Sequence, residues 1–263
     1  MIASPPMRWS LLVPALLAVL TSACTTSPTG RRQLQLLSDE QLAEQGALAF
    51  AEMKEQVPTS RDRGAERYVR CVTDAVLGAL PESARRSWEV ALFEEPTPNA
   101  FALPGGKIGV HTGLLQVASN QGQLATVLGH EVAHVIAGHS NERASREIAT
   151  AGVIGVIGVV AGEGAGQIAG AGAQLGLLLP FSRTQESEAD VIGLVYMSDA
   201  GFDPRESVAL WRNMEKAGGG SPPQFLSTHP SGGTRIKDLE ARMPEALERW
   251  RAARSSGRRP ACE

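Results

Sequence analysis

Residues 123–143 read QLATVLGHEVAHVIAGHSNER, and this stretch decides the fold. Leu124, Val127, Leu128, Val135 and Ile136 recur at helical spacing, which predicts a buried helix. Asn120 with Gln123 three residues on predicts the capping box that opens it. Within it stands His130-Glu131-Val132-Ala133-His134. At about 3.6 residues per turn, histidines four apart lie one above the other on a single face. Two neutral imidazoles held that way bind one Zn²⁺, and a glutamate between them is placed to take the proton of an attacking water. His130 and His134 are the expected metal ligands and Glu131 the expected base.

Such a pair needs a third protein ligand, and the sequence offers one on a later helix. In PFSRTQESEAD (180–190), Ser182 and Gln185 predict another capping box, and Gly201 is placed to close the helix. Glu186 and Asp190 are four apart and share a face. A carboxylate from Glu186 completes a His₂Glu set with one position open. Asp190, one turn on, is placed to accept a hydrogen bond from a ligand histidine and so fix its tautomer. Glu188 projects elsewhere on the helix. A third histidine six residues after His134 is ruled out by Ser140, and His139 falls one short, so it reads as structural.

With 263 residues and 43% apolar content, the chain has material for one sizeable domain with appendages. Its net charge of −3, with no basic tract outside the C-terminal tail, argues against nucleic acid as a partner. Residues 1–23 read as a signal peptide: Arg8 supplies the positive start and Leu11–Leu20 the apolar core. Ten apolar residues are too few to span a bilayer. Thr21, Ser22 and Ala23 lead into Cys24 in a way that resembles a bacterial lipoprotein signal, although Thr21 stands where such signals usually carry Leu. Lipid on Cys24 is one reading and simple secretion the other. Because Thr25 is not Asp, the lipid reading implies a periplasmic protein anchored to the outer membrane. Residues 24–37, with Pro28 and Gly30, read as a polar lipidated tether. Cys71 and Cys262 are then an even pair in an oxidising compartment, either a disulfide that holds the 257–263 tail or two unrelated thiols.

The rest of the chain supplies short elements. Ser38 and Gln41 predict a helix to about Gln56, and a second helix is expected from about Ala65 to Leu80, broken by Pro81. Trp88–Phe93 reads as a strand, and Leu103-Pro104-Gly105-Gly106 as a tight turn. Lys107, Ile108, Gly109, Val110 and His111 alternate like a half-exposed strand, which either pairs with an extended peptide substrate or simply covers the core. Ala149–Leu179 is almost wholly Ala, Gly, Val, Ile and Leu, and reads as a helix hairpin packed on the domain, facing either the core or a membrane. Asp203-Pro204 opens a helix to about Lys216, and a last helix from about Thr234 is expected to be interrupted at Pro244. The fold class is α+β, mostly helical, with a small antiparallel sheet and the metal domain over residues 38–256.

Taken together, Asn99–Leu115, GHEVAHVIAGHSNER, PFSRTQESEAD and THPSGGTRI (228–236) resemble the HtpX/Oma-type zinc metallopeptidases related to CAAX-prenyl proteases. The likeness runs from about Ser38 to Leu239 and is strongest to the periplasmic lipoprotein branch that includes LoiP, YcaL and the protease part of BepA. It implies a gluzincin-type domain that binds one Zn²⁺ per chain through His130, His134 and Glu186. It also implies Glu131 as the catalytic base, Asp190 orienting a ligand histidine, and Lys107–His111 as the substrate edge. By the same likeness His229 sits near the metal, either on it at rest or swung aside to stabilise the tetrahedral intermediate, and Arg235 braces the site. The implied function is hydrolysis of envelope proteins, in outer-membrane quality control and in contact with outer-membrane assembly machinery. The alternative is an assembly factor or chaperone with a largely latent zinc site.

Overall fold

The computed structural model describes residues 24–160, 180–217, 224–230 and 234–262. The expected signal peptide and residues 161–179 of the Gly/Ala-rich stretch lie outside them. In chain order the elements are β1 (Cys24–Thr26), β2 (Arg32–Leu34), α1 (Asp39–Gln56), α2 (Arg63–Gly78), β3 (Glu89–Phe93), β4 (Ala100–Leu103) and β5 (Lys107–His111). They continue with the short α3 (Leu114–Val117), α4 (Gln121–Ile136), α5 (His139–Val160), α6 (Arg183–Asp199), α7 (Arg205–Ala217), α8 (Gln224–Thr228) and α9 (Arg235–Ser255). The α+β, mostly helical class stands.

Local chemistry sets most helix ends. Ser38 and Ser182 each form the full reciprocal capping box with Gln41 and Gln185. At α4 the box is only half made. The Asn120 side chain accepts from the Gln123 N–H, but the Gln123 side chain accepts from the Ser119 N–H instead of reaching back to Asn120. Pro244 does not interrupt α9, because Leu239 and Ala246 on either side of it are buried in the core and hold the helix through the lost hydrogen bond.

The sheet is mixed, with order β3-β5-β4, and this corrects the antiparallel expectation. β5 pairs parallel with β3 and antiparallel with β4. After β3 the chain passes beyond the place β5 will fill, returns as β4, and reverses at Gly105 (φ 79°) and Gly106 (φ 76°). The hairpin thus inserts β5 between its neighbours. Ile108, Gly109 and Val110 are all buried, so β5 is an interior strand and not a half-exposed one.

Helix α4 runs through the middle of the molecule and is buried from Gly122 to His134. Each of its large apolar side chains contributes about 1.5–3 kcal/mol on leaving water. Its closest neighbour is α6. A methyl group built on Gly193 of α6 would lie 2.8 Å from the His130 nitrogen, and one on Gly129 would lie 2.9 Å from the Gly193 oxygen. Two facing glycines therefore let the backbones approach closely enough for Glu186 on α6 to meet the histidines of α4.

Residues 24–37 are not a tether. β1 and β2 form an antiparallel hairpin docked on the domain. Arg31 pairs with Glu142 at 2.6 Å and with Glu188 at 2.7 Å. The Gln33 side chain donates to the Ala137 carbonyl, and the Leu36 N–H donates to the Ser145 hydroxyl. At the other end, Cys71 and Cys262 form a disulfide that fastens the tail to α2. Closing a loop over a separation of 191 residues is worth roughly 5 kcal/mol in the chain-entropy picture.

Candidate metal centre

Four side chains converge on one point. The Nε2 atoms of His130 and His134 are 3.0 Å apart, and Glu186 Oε2 and Oε1 lie 3.3 Å and 3.4 Å from them respectively. Nδ1 of His229 is 3.3 Å from His130 Nε2 and 3.1 Å from Glu186 Oε1. All four donors fall within 4.8 Å of one another. Tetrahedral donors about 2.05 Å from a zinc ion stand about 3.3 Å apart, so the spacing fits that geometry.

The hydrogen bonds behind the donors sharpen the argument. His130 Nδ1 meets Asp190 Oδ1 at 2.9 Å, and His134 Nδ1 meets His139 Nδ1 at 2.8 Å. With both Nδ1 protons used outward, the two Nε2 lone pairs point at each other and at a carboxylate. A cation between them resolves that repulsion, a proton on His130 or a metal ion that displaces it, and a divalent ion suits the full donor set. Burial would push the His130 ring down, but its hydrogen bonds to Asp190 and Glu186 outweigh this and hold it up at about 9. His134 is driven well down by burial, and Glu186, although buried, is held far below the usual carboxylate range by three histidines. Arg235 spans both acids, 2.7 Å from Asp190 Oδ2 and 2.7 Å from Glu186 Oε2, and its guanidinium lies 4.0 Å over the Trp211 ring.

Glu131 lies beside this set. Its Oε2 accepts the Ala102 N–H at 3.2 Å, while Oε1 makes no hydrogen bond and faces His229 Nε2 at 3.3 Å. Burial holds this carboxyl above its ordinary range. Glu131 lines a cavity of about 410 Å³ together with His229, Phe101, Phe181, Met53 and Val57. Here the sequence assignment of the substrate strand needs correcting. Lys107–His111 has neighbours on both sides, so it has no free edge. Among the described residues β4 is an edge strand along this cavity, and its Ala102 N–H already points at Glu131. His111 does line the cavity, from the middle strand.

Three aromatic contacts and one histidine were not foreseen as part of the site. Phe181 stacks on His134 at 3.8 Å, Phe225 stacks on His229 at 4.4 Å, and Trp211 lies beneath Arg235. His139, read as merely structural, touches His134 directly. The Pro180-Phe181 pair just ahead of the Ser182 cap was the one visible cue, since a buried ring at a helix entrance needs something to pack on.

This fold and donor set define a gluzincin-type metallopeptidase domain. The chain belongs to Peptidase family M48, whose family model matches residues 64–243. It is 44% identical over 181 residues to mitochondrial metalloendopeptidase OMA1 of Schizosaccharomyces pombe, covering 68% of this chain and 53% of that protein. It is 32% identical over 244 residues to the human mitochondrial metalloendopeptidase OMA1, covering 84% of this chain and 46% of that one. It is also 27% identical over 236 residues to the beta-barrel assembly-enhancing protease of Escherichia coli (strain K12), covering 86% of this chain and 48% of that one. The chain spans about half the length of these relatives. These matches overturn the location expected from the first 24 residues. Relatives at 32–44% identity are mitochondrial proteases, not outer-membrane lipoproteins of the periplasm.

Proposed function

We propose that this chain is a zinc-dependent endopeptidase that cleaves membrane-associated proteins. The observation that carries the reading is the meeting of two helix-borne imidazoles and the Glu186 carboxylate beside a buried Glu131 that lines a cavity. His130, His134 and Glu186 would hold one Zn²⁺ per chain, which would supply Lewis-acid polarisation of the scissile carbonyl and acidify water towards a pKa of about 7. Glu131 takes the proton of the attacking water and passes it to the departing amine nitrogen. Asp190 keeps His130 in the tautomer that presents Nε2, and Arg235 holds Asp190 and Glu186 in register. A substrate strand lies along the open edge of β4 and places an apolar side chain among Phe101, Phe181, Met53 and Val57.

The substrates proposed are incompletely assembled membrane proteins, with β-barrel precursors suggested by the name of the bacterial relative. The peptidase unit is taken to begin at residue 24, because Arg31 and Gln33 tie the hairpin to the domain. Glu131→Gln is the test. It should bind zinc like the wild type and lose proteolysis of a casein or unfolded-barrel substrate. Retained cleavage overturns the role of Glu131.

A second reading is favoured by one feature. His229 Nδ1 stands where a fourth donor belongs, which closes the site to substrate. A protein that spends its time in that state would act as an assembly factor or chaperone, with cleavage reserved for occasions when His229 leaves. Full complementation of a barrel-assembly defect by Glu131→Gln would favour this reading.

A further inference from the structure

His130 and His134 are supported differently. His130 donates straight to a carboxylate, Asp190. His134 reaches another imidazole, that of His139, which is fully buried. From there the contacts continue outward. His139 Nε2 lies 3.2 Å from Glu188 Oε2, Glu188 also accepts from the Arg31 Nε at 2.7 Å and from the Thr29 hydroxyl, and Arg31 makes a two-pronged contact with Glu142. Thr29 and Arg31 belong to the N-terminal hairpin. None of these residues touches the four-donor set except through His134.

Proton bookkeeping fixes the direction of every bond. A histidine that offers Nε2 to a metal carries its proton on Nδ1, so His134 donates and His139 Nδ1 must accept. A neutral His139 then carries its proton on Nε2 and donates to the Glu188 carboxylate. Glu188 stays ionised because Arg31 and Thr29 also donate to it. The opposite tautomer of His139 would set N–H against N–H at His134 and leave Glu188 facing a lone pair. The arrangement is satisfied in only one way, set by the metal at the His134 end and by the Glu188 carboxylate at the other, and the hairpin holds that carboxylate in place.

Resting on the reading of His130, His134 and Glu186 as zinc donors, we propose that His139 is a positioning residue for the metal site, and that Arg31 and Thr29 make the N-terminal hairpin part of that site. His139 holds the His134 ring in the orientation and tautomer that zinc requires. Glu188 holds His139, and the hairpin holds Glu188. Loss of the hairpin contact would therefore loosen a metal ligand that it never touches. A segment immediately after residue 24 would thereby report its own docking to the site.

The test is the zinc dissociation constant of the full chain, measured by competition with a chromophoric chelator, beside the melting temperature of each metal-free protein. His139→Leu keeps buried volume but removes the acceptor, whereas His139→Asn places a carbonyl oxygen near the former Nδ1. Zinc affinity should fall about 10–100-fold in His139→Leu and recover most of the loss in His139→Asn. Arg31→Met should weaken zinc binding several-fold, and Arg31→Lys should weaken it less. In cobalt-loaded protein, the visible bands should shift in His139→Leu and Arg31→Met and return towards wild type in His139→Asn. Wild-type affinity in both His139→Leu and Arg31→Met overturns the proposal. So does equal loss in the Leu and Asn variants, which would mean that packing alone is at work. If the His139 variants do not fold, the Arg31 pair decides by the same two criteria. Failure of the wild type itself to bind zinc would instead overturn the proposed function.

Discussion

Gly193→Ala should damage the metal site without touching a ligand. The added methyl would sit 2.8 Å from the His130 nitrogen, 2.9 Å from the Gly129 carbonyl carbon and 3.0 Å from the His130 Cα. Ordinary contact begins near 3.4 Å. All three neighbours are backbone atoms, so no rotamer change relieves the clash, and α6 must move away from α4 by roughly half an ångström. Glu186 rides on α6, and metal–ligand distances tolerate only about 0.2 Å. Overpacking of this kind costs about 1–3 kcal/mol, which corresponds to a fall of about 2–12 °C in melting temperature for a domain of this size. Zinc affinity should drop about tenfold or more. Gly78→Ala, near the end of α2 with nothing within 4 Å of the added methyl, is the control and should leave both quantities unchanged or slightly improved. Differential scanning fluorimetry of the metal-free and zinc-loaded proteins, with chelator competition, measures both effects. Wild-type melting and wild-type zinc affinity in Gly193→Ala would refute the argument that the glycine pair sets the distance between the ligands.

Other outcomes are open to direct measurement. His229→Ala should retain zinc within a few-fold and change the cleavage rate; metal loss equal to that of His134→Ala would make it an ordinary structural ligand. Arg31→Met takes a guanidinium from Glu188 and one of two from Glu142, which keeps Arg146, and should destabilise the metal-free protein by about 3 kcal/mol at pH 7. Burial works against both carboxylates, yet Glu142 is held below its ordinary pKa chiefly by Arg31, with Arg146 and Gln185 adding to it, and Glu188 chiefly by His139 and the Ser27 and Thr29 hydroxyls, with Arg31 adding to them. The stability they contribute is thus present above an unfolded pKa of about 4.3 and is lost as pH falls through the lower folded values, so the gap between wild type and Arg31→Met in pH-dependent melting should narrow below about pH 4. A gap that widens in acid would reverse that sign and discard the explanation. Reducing the Cys71–Cys262 bond should lower stability by about 2–5 kcal/mol in denaturant titrations, and an unchanged midpoint would show that the tail contributes nothing.

What was legible in the sequence is what depends on short-range pattern. The metal helix, the serine caps at Ser38 and Ser182, the turn at Gly105-Gly106 and the shared face of Glu186 and Asp190 all follow from spacing along one element. Strand order does not. Nothing local to Lys107–His111 says that β4 will lie on one side of it and β3 on the other, because that is fixed by where the chain passes after Phe93. The N-terminal hairpin misled for a related reason. A run of Thr, Ser, Pro, Gly and Arg reads as solvated chain unless its partners are known, and those partners, Glu142 and Glu188, lie more than a hundred residues away. His139 was passed over because spacing asked only whether it was a ligand, whereas its role lies behind one. Pro244 shows tertiary packing overriding a local rule.

The central claim is that two segments far apart in the chain grip one divalent ion. The direct measurement is bound zinc per chain by mass spectrometry on purified wild type, Glu186→Ala, His134→Ala and Glu131→Gln. The account predicts one zinc in wild type and Glu131→Gln and essentially none in the other two. Full zinc in Glu186→Ala would contradict it.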